Sequence, residues 1–103
     1  MKKDNIKSMK NGWFIGNFNP SVLKTNEVEV ALKEYEQGDY EDAHFHKIAT
    51  EITLIVEGEV EMFNERYKKG DILTIYPDEI TDFKALTKVK TFVVKLPGAN
   101  EDK

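Results

Sequence analysis

The sequence predicts an all-β, single-domain protein, and three observations lead there. Short apolar runs rich in β-branched residues recur along the chain. Turn residues break them every eight to twelve residues or so. No stretch keeps a helical period against them. Together these are the pattern of an antiparallel sandwich or barrel.

The elements follow in order. Residues 1–12 are polar and are expected to form a loose arm. In WFIGNF (13–18), Trp13, Ile15 and Phe18 suit a strand fastened across a barrel, or a segment wrapped onto a neighbouring subunit. Core or interface packing is favoured there over an exposed carbohydrate platform. VEVALKEYE (28–36) alternates at first, with Val28, Val30 and Leu32 opposite Glu29, Ala31 and Lys33. LKEYEQ has helix propensity, but the β-branched residues before it and Gly38 after it favour a strand ending in a turn. EITLIVE (51–57) ends at Gly58, and EVEMF (59–63) alternates before a polar turn at 64–66. DILTIY (71–76) stops at Pro77, ITDFKAL (80–86) follows, and VKTFVVKL (89–96) closes before Pro97. The last segment, 97–103, reads as a solvated tail.

One strand says more. Ile52, Leu54 and Val56 share one face of EITLIVE, while Thr53 and Ile55 share the other with Glu51. A strand apolar on both sides is covered on both sides. In a chain this short the outer cover is expected to be a second subunit, making a homodimer.

The chain has 103 residues, enough for one domain spanning 1–103. Its net charge of −4 argues against a phosphate-binding surface and hence against nucleic acid. There is no cysteine, so disulfides, thiolate ligands and cysteine nucleophiles are excluded. The N-terminus lacks an apolar signal core, and no apolar run is long enough for a bilayer. The expectation is a cytoplasmic protein with no membrane partner. No phosphate loop or nucleophile elbow is present.

The chemistry concentrates in GDYEDAHFHKIATEITLIVEG (38–58), which holds both histidines of the chain. Residues two apart on a strand point the same way, so His44 and His46 aim two imidazoles at one point. A tight turn through 47–50 brings Glu51 back beside them. Two imidazoles and a carboxylate make a facial ligand set that suits non-haem iron, and the same set occurs at catalytic zinc.

The spacing of that segment resembles the first motif of the cupin superfamily at Gly38, His44, His46, Glu51 and Gly58. GDILTIYPDEITDFKA (70–85) is similar to the second cupin motif at Gly70, Asp71, Ile75, Pro77 and Phe83. It departs at Tyr76, Asp78 and Ala85, and Thr81 stands where the family has its fourth ligand, a histidine. The hairpin between the motifs is also similar, and the resemblance covers about residues 28–96.

The resemblance implies a jelly-roll antiparallel β-barrel, often dimeric, with a divalent metal inside: Zn, Fe, Mn or Ni. His44, His46 and Glu51 would be its ligands, with water completing the shell in place of Thr81. Asp82 would serve as a ligand only if a bulge turned it inward.

In the same register Tyr35, Thr53, Thr81 and Phe83 face the barrel interior. Lys33 shares the face of Tyr35, where it could bind a carboxylate or phosphate near the mouth; the favoured reading lays its stem along the surface with the ammonium in water. The implied ligand is a small polar metabolite, sugar-like by family analogy alone. The implied chemistry is Lewis-acid isomerisation, epimerisation or elimination. Tyr40 and Asp82 are the guesses for its general base. An Fe(II) dioxygenase and a non-catalytic binding protein remain the alternatives.

Overall fold

The computed structural model describes residues 1–98. Among them nine strands form two antiparallel sheets. The strands are β1 Trp13–Ile15, β2 Glu29–Tyr35, β3 Tyr40–His44, β4 Thr50–Glu57, β5 Glu59–Met62, β6 Glu65–Lys68, β7 Ile72–Ile75, β8 Thr81–Ala85 and β9 Val89–Leu96. One sheet runs β1-β2-β9-β4-β7 and the other β3-β8-β5-β6.

Every strand expected from the alternating runs is present, and β9 has the expected ends. The turn expected at 64–66 is shorter. Only Phe63 and Asn64 take left-handed backbone, with φ of 46° and 66°, while Glu65 and Arg66 already belong to β6. Two consecutive positive φ values make the tight hairpin whose twist matches its strands. The first twelve residues are more ordered than an arm. A 3₁₀ turn, Ile6–Ser8, is capped by the Asn5 carboxamide, and Lys10 bridges to Trp13. Of the expected tail, Pro97 and Gly98 leave β9 and 99–103 lie outside the described residues.

The registry of the larger sheet explains where the interior lies. Four rows of side chains cross it on the inner face. They are Tyr35 with Val89; Lys33, Thr91 and Ile55; Ala31, Val93, Thr53 and Leu73; and Glu29, Lys95, Glu51 and Ile75. The rows change from apolar to polar along the barrel. At one end Ile55, Val60, Phe83, Ala85 and Val89 form a closed core with Met62. At the other end the inner face carries Glu29, Lys95 and Glu51. The apolar set Val30 and Leu32 therefore looks outward from β2. Leu32, Phe92, Leu54 and Ile72 form one continuous row across the outer face. Ile6, Met9, Phe14 and Val22 line a hollow beside Leu32 and Phe92, so the N-terminal segment shelters one flank of that row. Ile72, on the far edge, stays 65% exposed.

Gly58 turns β4 into β5. Its φ is +89°, and a side chain there would collide with the Lys88 carbonyl, so glycine is required on both counts. No helix among the described residues is long and apolar enough to cross a membrane.

Candidate metal centre

A cavity of about 330 Å³ opens at the polar end of the barrel. His44, His46 and Glu51 line it, as do Tyr35, Thr53, Thr81 and Phe83, so the sequence-predicted site residues share one space.

His44 reaches it through a bulge. Glu41 pairs with Phe83 and His44 with Thr81, so three residues of β3 span what two span on β8. The extra residue re-aims the chain. Without it, Glu41 and His44 would sit on opposite faces; with it both line the cavity.

The Nδ1 atom of His44 lies 2.9 Å from the Asp42 carbonyl oxygen. A carbonyl can only accept, so Nδ1 carries the proton and Nε2 of the neutral ring keeps its lone pair. A backbone carbonyl on the far ring nitrogen is the usual support of a metal-binding imidazole.

His46 lies beyond the end of β3, and its backbone carbonyl accepts from Asp78 N at 2.8 Å. That contact explains one departure from the second motif. Asp78 takes φ of 70°, the left-handed conformation for which glycine is the easy choice and aspartate a tolerated one. The turn beside it is tied by Tyr76 N donating to Glu79 Oε1 at 2.8 Å.

Glu51 opens β4 and places Oε1 3.4 Å from His46 Nε2, both side chains being largely buried. That spacing is long for a charge-assisted hydrogen bond, about 2.7–2.9 Å. The His44 and His46 rings stand edge to face with centroids 5.6 Å apart. The three groups do not converge on one point: among the described residues no three His, Cys, Asp or Glu side chains are placed to hold a metal ion. His44, exposed at the mouth, is the member standing off from the His46–Glu51 pair. The donor set and the tautomer of His44 nonetheless fit a divalent cation.

Thr81, at the fourth-ligand position, donates its hydroxyl to the Asp82 carbonyl at 3.0 Å. Asp82 is committed elsewhere. Its Oδ1 accepts from Phe63 N at 2.7 Å, which pins the β5–β6 hairpin, and its Oδ2 lies 3.5 Å from the Tyr40 hydroxyl. Tyr40 is 55% exposed and does not line the cavity, whereas Asp82 does, so the two guessed bases pair with each other at its rim.

A cavity carboxylate missing from the sequence reading is Glu41. Lys33 Nζ and the Tyr35 hydroxyl both donate to its Oε2, at 3.0 and 3.2 Å. Lys33 is therefore held inside rather than in bulk water, over the Trp13 and Tyr35 rings at 5.9 and 5.4 Å. Tyr35 packs on Phe83 with centroids 4.5 Å apart. Burial, and then the Glu41 carboxylate beside it, pushes the Tyr35 phenol well above its ordinary range, so it stays a donor. Alternation of inward residues from Phe83, transferred across the ladder to Glu41, was the signal available for this group.

A two-sheet antiparallel barrel, packed at one end and holding polar donors at the other, defines the class: this is the cupin, or double-stranded β-helix, fold. Solved structures bear it out. An uncharacterized conserved protein with a double-stranded β-helix domain from Klebsiella pneumoniae superposes with TM-score 0.70 at 21% identity, covering 80% of this chain and 71% of that one. KdgF from Halomonas sp. gives 0.66 at 20%, covering 75% and 76%. An RmlC-like cupin from Shewanella frigidimarina gives 0.67 at 18%, covering 75% and 71%. No protein-family model and no curated protein matches the sequence.

Proposed function

We propose that this protein is a metal-binding cupin that acts on a small, polar, sugar-like metabolite by isomerase, epimerase or lyase chemistry. The observation that carries the reading is the presence, in one cavity, of two different kit parts. One is the nitrogen and oxygen donor set of His44, His46 and Glu51; the other is a carboxylate, Glu41, held by Lys33 and Tyr35.

A divalent ion held by His44, His46 and Glu51 would supply Lewis acidity toward a substrate hydroxyl or carbonyl oxygen. The chain's own residues do the rest. Glu41 takes the proton from the carbon next to the carbonyl, and the electron pair of that C–H bond moves into the carbonyl system. Return of the proton at the neighbouring carbon gives an isomer, return to the opposite face of the same carbon gives an epimer, and departure of a β-hydroxyl gives elimination. Lys33 fixes the carboxylate, and Tyr35, kept protonated, holds it from the other side. Phe83 and Thr53 shape the wall.

The test has two readouts. Protein purified without added metal should carry about one equivalent of divalent metal, lost in His46→Ala. In deuterated water the wild type should wash deuterium into its aldose or ketose substrate, and Glu41→Gln should slow this by about 10²–10⁴-fold while retaining the metal. Oxygen consumption with substrate would overturn the reading in favour of a dioxygenase. Unchanged ligand binding and biological activity after loss of metal in Glu51→Gln would overturn it in favour of a binding protein, the reading that Thr81 favours.

A further inference from the structure

The mechanism leaves one charged pair unused. Glu29 and Lys95 face each other across β2 and β9, each residue 6% exposed, with Lys95 Nζ 3.6 Å from Glu29 Oε1. The other carboxylate oxygen, Oε2, is shut off from solvent and has no hydrogen-bond partner. A buried carboxylate oxygen without a donor is costly, and its persistence points to a donor that arrives from outside the chain.

There is room for one. A hollow of about 330 Å³ is lined by Glu29 and Lys95 together with Lys10, Trp13, Phe18, Asn11 and Asn19. Lys95 and Trp13 also line the main cavity, so the two spaces meet at these side chains.

We propose that this hollow is a second subsite, and that it binds a hydroxyl-bearing part of the ligand. A hydroxyl is the group that can donate to Glu29 Oε2 and accept from Lys95 Nζ at once. An anion there would meet Glu29, an ammonium would meet Lys95, and an apolar group would leave Oε2 unpaired. Trp13 offers the apolar face against which the C–H side of a polyol packs. The inference deepens the substrate class and rests on the proposed function for what happens at the metal-binding end, but polyol capture at Glu29 itself needs no metal.

Trp13 is the only tryptophan, so intrinsic fluorescence reports this subsite directly. The full chain would be titrated with D-mannitol and D-xylose, and with inorganic phosphate as the anionic comparator. A saturable change with a polyol and none with phosphate is expected. Glu29→Gln should weaken polyol binding about tenfold or more, the scale of a hydrogen bond to a charged group. The double variant Glu29→Gln with Lys95→Met, which leaves no lone buried charge, should weaken it at least as much while keeping its circular dichroism spectrum.

No saturable change with either polyol, equal affinity in the double variant, or phosphate binding as tightly as polyol overturns the proposal. A wild-type protein that responds to polyol but takes up no divalent metal overturns the proposed function and leaves the subsite standing; a protein that holds metal but gives no polyol response does the reverse.

Discussion

Removing Lys95 tests the buried row on which the polar end of the barrel is built. At 3.6 Å the Glu29–Lys95 attraction is about 4–5 kcal/mol with an effective dielectric of 20. Desolvation of each ion costs several kcal/mol, so the pair as a whole adds little net stability. Taking one member away is different, because the remaining carboxylate keeps its desolvation cost and already has one oxygen without a partner. Lys95→Met should therefore destabilise by about 3–5 kcal/mol. Glu29→Gln should cost about as much, because it strands the ammonium. The double variant should lie within about 1 kcal/mol of the wild type, a coupling of several kcal/mol. Urea unfolding followed by far-ultraviolet circular dichroism reads all four proteins, with equal m-values as the check on two-state behaviour. Single variants that each lose under about 1 kcal/mol, with losses that add in the double, would refute the reasoning. They would mean that water reaches this pair.

Three further outcomes follow from the same structure. Tyr35 has its phenol raised in the folded state, so the stability it contributes is full below the unfolded value of about 10 and falls as pH rises above it; Tyr35→Phe should flatten the alkaline limb of a melting-temperature profile. Ile72→Lys on the outer apolar row should leave the monomer folded and shift a homodimer toward monomer in sedimentation velocity, whereas an unchanged sedimentation coefficient would rule out this face as the subunit contact. Phe63 holds φ of 46° with its ring half exposed, so Phe63→Gly should stabilise by about 0.5–1 kcal/mol in the same urea assay.

How much of this was legible depended on what the interior is made of. Strands with an apolar inner face, such as β4, β8 and β9, were visible because alternation registers the water-facing and core-facing sides. β3 and β6 were not, because YEDAH and ERYK have little to bury and are held by ladder hydrogen bonds to β8 and β5. That His44, His46 and Glu51 border one cavity was legible from their spacing. Glu41, Glu29 and Lys95 were missed because a reader of alternation assigns charges to the solvent side, and here the inner face borders a polar cavity. For Glu41 the bulge in β3 adds a second obstacle, since it shifts the parity between that residue and His44. The first twelve residues were misjudged for a related reason: Met9 finds partial cover against the outer sheet face, a partner no local window contains.

The gradation along the inward rows has an evolutionary meaning. Cohesion is concentrated around Ile55, Val60 and Val89, and the inward polar groups Thr53 and Glu51 stand two and four positions from Ile55 on the same strand. Changes at the mouth, Thr81 among them, can therefore alter which molecule is handled without dissolving the scaffold that presents it.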